Sequence, residues 1–96
     1  MSQRLTLTAE SQVEIRPLIE SAIQSELRML ELGLQRTRQR LQAFEQRFDM
    51  SSAEFEQRIN AGELEETLDF VEWLGEIKTQ ELLDANLQAL RGVQIN

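Results

Sequence analysis

The side chains of this sequence that could do chemistry are carboxylates and guanidinium groups. Six acids, Glu63, Glu65, Glu66, Asp69, Glu72 and Glu76, follow one another without a base between Arg58 and Lys78, and Arg36, Arg38, Arg40 and Arg47 form a counter-cluster. The chain has no Cys and no His, which removes thiol nucleophiles, disulfides, the usual structural zinc sites and the commonest general base. Carboxylate acid–base chemistry is left, but no motif supports it. A chain of 96 residues buries only about two-thirds of its unfolded surface, so a deep catalytic cleft is not expected. No catalytic, cofactor-binding or metal-ligating residue is assigned, and the protein reads as a non-enzyme. Clustered charge does steer association. The acids therefore read either as a docking surface for a basic protein or as intramolecular partners of the arginines.

The formal charge of −7 is unevenly spread: residues 1–48 hold seven Arg against six Glu, and residues 49–96 hold three bases against eleven acids. Direct binding to nucleic acid is disfavoured, because a phosphate backbone is repelled by most of such a chain. No apolar run approaches the length of a membrane span, and the N-terminus lacks the basic and apolar regions of a signal peptide. A cytoplasmic protein with no membrane contact is expected.

The elements that must position these charges are helical. From Pro17 to Phe48, apolar residues return every three or four positions as Ile23, Leu27, Leu30, Leu34, Leu41, Phe44 and Phe48, interrupted at Thr37. That repeat puts them on one stripe of a helix. A second stripe, Ile15, Leu18, Ala22, Met29 and Leu32, lies on the opposite face. Two stripes need two neighbours, and the second is either the N-terminal segment folded back or a second polypeptide, which makes it the candidate self-association surface of a homodimer.

Before this helix, Arg4-Leu5-Thr6-Leu7-Thr8 alternates with period two and reads as a short strand or ordered arm. Thr8 or Ser11 can cap a first turn. Pro17 then allows two outcomes, a short helix over about residues 9–15 that breaks or kinks, or an extended segment with Pro17 at the first helical position. The kink is favoured, since Ile15 and Leu18 already belong to the helical stripe. After Asp49 the sequence restarts with a capping box, Ser51 followed by Glu54. The short helix that follows presents Phe55 and Ile59, and Gly62 stops it. In the last helix, from Leu64 or Thr67 to Leu90, Phe70, Trp73, Leu74 and Ile77 share a face, whereas Leu83, Leu87 and Leu90 lie towards the formerly acidic side. The drift of a 3.5 repeat is about 20° per heptad, too small for that exchange. The helix is expected to bend near Gly75 or to leave one neighbour for another.

The strings Phe44-Glu45-Gln46-Arg47-Phe48-Asp49-Met50-Ser51-Ser52-Ala53-Glu54-Phe55, Asn60-Ala61-Gly62-Glu63-Leu64 and Leu68-Asp69-Phe70-Val71-Glu72-Trp73 resemble small acidic helical antitoxins of prokaryotic toxin–antitoxin modules, the partners of TumE-like toxins. The likeness covers most of the chain, including the ending Val93-Gln94-Ile95. It departs at Asp49 and at Glu65, where that pattern has Gly. The resemblance implies a protein that binds and neutralises a cognate toxin, and it carries no catalytic chemistry.

The expected architecture is all-α: an N-terminal arm (1–16), a long helix (17–49), a short helix (51–61) and a C-terminal helix (64–91) in one antiparallel hairpin. Glu65, Asp69, Glu72 and Glu76 would guide a basic partner. Phe70, Trp73, Ile77, Leu83, Leu87 and Leu90 would anchor it, Trp73 foremost unless it belongs to the core. Two alternatives stand beside this reading: a homo-oligomeric, coiled-coil-like scaffold, and a ribbon-type DNA-binding autoregulator using Arg4, Thr6 and Thr8.

Overall fold

The computed structural model describes residues 3–5 and 12–95. It is an all-α hairpin of long, short and long helices, α1 (Gln12–Phe48), α2 (Ser52–Asn60) and α3 (Leu68–Arg91). Two three-residue strands, β1 (Gln3–Leu5) and β2 (Val93–Ile95), pair in parallel with Gln3 opposite Val93. Residues 6–8 of the expected strand lie outside the described residues. A parallel pair of this size adds little stability by itself.

A single helix runs through Pro17, so neither a break before it nor an extended segment leading into it is found. The proline falls in the second turn, where its missing N–H removes one bond to the Val13 carbonyl, while the rest of this 37-residue helix is intact. The molecule is accordingly elongated, 60 × 21 × 17 Å.

The stripe of α1 forms the seam with α3. Leu34, Thr37 and Leu41 are buried, and Ile23, Leu27, Leu30, Phe44 and Phe48 are half-buried. The centre of the core is Leu41, Phe55, Trp73 and Ile77, closed over by Phe44, Phe48, Met50, Ile59, Leu64, Phe70 and Leu74. Trp73 lies parallel to Phe55 with centroids 3.9 Å apart and to Phe44 at 5.5 Å. Further along, Leu87 is buried, and the Leu83 methyl lies 3.6 Å from the point where a Gly33 Cβ would be. Both halves of α3 therefore pack on α1.

The helix ends follow local chemistry. At the end of α1, Asp49 takes φ +52°, and the Met50 amide donates to the Glu45 carbonyl at 3.3 Å, a Schellman closure. Gly62 does the same for α2 at φ +75°, with the Glu63 amide donating to the Arg58 carbonyl. Both residues carry out the reversal that a left-handed residue permits. Glu65 is not among the residues with positive φ, so the departure from Gly there imposes no strain.

One half of the capping box forms, the Glu54 amide donating to Ser51 Oγ at 3.1 Å. Glu45, reaching over from α1, accepts the amide of the next residue, Ser52, at 2.6 Å. Thr67 caps α3 by accepting from the Phe70 amide. That moves the start of α3 to Leu68 and leaves residues 63–67 as a connection.

Candidate partner-binding surface

The face exchange in α3 has a simple cause. Phe70, Trp73, Leu74 and Ile77 lie beside both α1 and α2, and need a wide apolar sector. Further along, Leu83 lies beside Gly33 of α1, and Leu90 shares a groove with Glu26 and Leu30 of α1. The helix is continuous from Leu68 to Arg91, and it leaves one neighbour behind.

This packing corrects the expectation that Trp73 and its apolar neighbours are open to another molecule. Trp73 is fully buried and Ile77 and Leu87 nearly so. Phe70, Leu83 and Leu90 are half-buried in the same seam. These six side chains hold the hairpin together.

The large apolar residues that α3 leaves in solvent are Leu68, Val71 and Leu82, 75%, 53% and 61% exposed. Their spacing places them on one stripe, with Gly75 between, on the face turned away from Trp73. Nothing lies within 4 Å of an added Cβ at Gly75. A partner backbone can approach closely there. The sequence contained a signal for this stripe in the positions 68, 71, 75 and 82, which obey the three-and-four rule. It was masked by the larger aromatics of the opposite face.

Charge borders this stripe on one side. Asp69, Glu72 and Glu76 run along the flank of α3 that meets α1, and a groove of about 710 Å3 lies between them and Arg40 and Arg47, with Phe44 and Gly75 in its walls. Arg47 pairs with Asp69 at 3.0 Å, and Arg40 reaches Glu76 at 3.5 Å. Glu76 is mostly enclosed and its second oxygen is buried without a hydrogen-bond partner among the described residues. Glu65, Glu66 and Glu72 make no ion pair among the described residues and stand exposed. The acidic cluster is thus divided: part of it clasps α1 to α3, and part is open to an incoming positive charge. Solvent-exposed pairs of this kind contribute at most about 1 kcal/mol each, so their main effect is on orientation and encounter.

On α1, the second stripe faces away from α3. Leu18, Met29 and Leu32 are 68%, 67% and 48% exposed, Ala22 is exposed and Ile15 half-buried. No group of acidic side chains among the described residues is arranged to hold a metal ion, and no described helix is long and apolar enough to cross a membrane. No protein-family model, curated protein or solved structure matches this chain.

Proposed function

We propose that this protein is a non-catalytic binding module, an antitoxin that captures and neutralises a basic toxin through the outer face of α3. The observation that carries this reading is the exposed stripe Leu68, Val71 and Leu82 around Gly75, set in the acidic half of the chain. Unpaired acids raise the rate of encounter with a basic protein, and the apolar stripe supplies the area that desolvates on contact. The resemblance of residues 44–55, 60–64 and 68–73 to antitoxins partnering TumE-like toxins supports the same reading. The second apolar face, on α1, makes the protein a homodimer. The experiment that tests the assignment is binding of the protein encoded by the adjacent reading frame, compared between the unmodified chain and a variant with Val71→Glu and Leu82→Glu.

A second reading, a homo-oligomeric scaffold, is favoured by the exposure of Leu18 and Met29 together with that of Leu68. In that case both outer faces pair with copies of the same chain. Sedimentation distinguishes the two: a scaffold grows beyond a dimer as concentration rises, whereas the antitoxin stops at two copies until its partner is added.

A further inference from the structure

We propose that two copies of this chain meet antiparallel along α1, about a two-fold axis lying between Ala22 and Ser25. The inference rests on the reading that the outer stripe of α1 joins two copies, and it specifies how they are arranged. The stripe is Ile15, Leu18, Ala22, Ser25, Met29 and Leu32, spaced alternately by three and four residues, the 3.5 repeat of a helix seam. Read in either direction its sizes run large, large, small, small, large, large. A two-fold axis perpendicular to the helix then sets Ile15 against Leu32 of the second copy, Leu18 against Met29, and Ala22 against Ser25. Such an interface is isologous and closes on itself. The small central pair lets the helices approach, and the large outer pairs interlock on either side.

A parallel pair would also match like sizes, so the choice between the two is made by charge. Between Leu32 and Phe48, α1 carries Arg36, Arg38, Arg40 and Arg47 against Glu45. Parallel helices about 8–10 Å apart place these basic segments side by side, with Arg36, the next position of the stripe, opposite Arg36 of the second copy and within the distance over which charge is felt at physiological salt. Antiparallel helices carry the two copies of Phe48 roughly 70 Å apart, at about 1.5 Å per residue. The stripe also gives way to Arg36 and Gln39 beyond Leu32, which ends the seam on both sides of the axis. The outer faces of α3 are left at opposite ends of the dimer, and each can take one partner molecule.

The absence of cysteine makes single nitroxide labels straightforward. Gln39→Cys and Gln46→Cys are exposed positions on α1, and pulsed dipolar spectroscopy on the full chain, with helicity checked by circular dichroism, reads the distance between copies. Antiparallel pairing predicts roughly 45 Å for the first label and 70 Å for the second, the distance growing with residue number. Two equal distances under about 20 Å would overturn the antiparallel arrangement while leaving self-association in place. A missing dipolar signal together with monomeric sedimentation at the same concentration would overturn self-association and the arrangement with it.

Discussion

The Trp73 indole N–H donates to the Ser52 hydroxyl at 2.9 Å, and that contact joins α3 to the first residue of α2. The Ser52 amide is itself held by Glu45 of α1, so three helices converge on one serine. Phe55 then slides over the indole face and seals it. A large aromatic with its only polar atom satisfied is stable in an interior, because burial of the ring is not offset by an unpaired donor.

Removing parts of that arrangement should give graded losses. Trp73→Ala is expected to cost about 3–5 kcal/mol, as other large-to-small core changes do, and to unfold much of the domain at ambient temperature. Ser52→Ala keeps the ring and strands its N–H, at a cost of about 1–3 kcal/mol. Denaturant titration followed by circular dichroism measures both. Equal stability of Ser52→Ala and the unmodified protein would show that the hydrogen bond adds nothing.

Asp49 occupies a left-handed conformation, φ +52°, that costs a side chain more than it costs glycine. Asp49→Gly should therefore stabilise the protein by about 0.5–1 kcal/mol, and Asp49→Val should destabilise it by more than that, since a β-branched residue is poorly accommodated there. Thermal midpoints moving in opposite directions for the two variants are the expected result.

Gly75 sits within a regular helix with free space for a methyl group. Replacing such a glycine by alanine gains about 1 kcal/mol of helix stability. Gly75→Ala should raise the thermal midpoint of the free protein and, if a partner lies against this backbone, weaken partner binding. A variant that is more stable and binds unchanged would place the partner elsewhere on α3.

The hairpin was legible in the sequence because its information is periodic. The stripe from Ile23 to Phe48 could only be one face of a helix, and Ser51 with Glu54, and Gly62, marked the reversal. Two matters were not legible. Pro17 breaks helices when its missing bond falls in mid-helix, but near the start of α1 the loss is small enough for the helix to continue through it. The role of Trp73 depended on α2, whose placement across the closed end follows from long-range packing rather than from any local pattern. The residues best suited to bind a partner by size were thus those the core consumed, and the smaller Leu68, Val71 and Leu82 were left outside.

The outer face of α1 makes its own prediction. Leu18→Glu together with Met29→Glu puts two charges into the self-association stripe while leaving the seam with α3 untouched. The variant should keep its helicity and sediment as a monomer, and the unmodified protein at the same concentration is expected to sediment as a dimer. An unmodified protein that is monomeric at high concentration would remove the stripe from the account.

Calorimetric titration with the protein encoded by the adjacent reading frame reads directly whether α3 binds a toxin through Leu68, Val71 and Leu82. The unmodified chain should bind tightly. The double variant Val71→Glu and Leu82→Glu should keep its circular dichroism spectrum and lose at least about 100-fold in affinity, which is about 2.8 kcal/mol at tenfold per 1.4 kcal/mol and within the range of interface hot spots. Undiminished affinity in that variant, or no binding by the unmodified chain, would contradict the account.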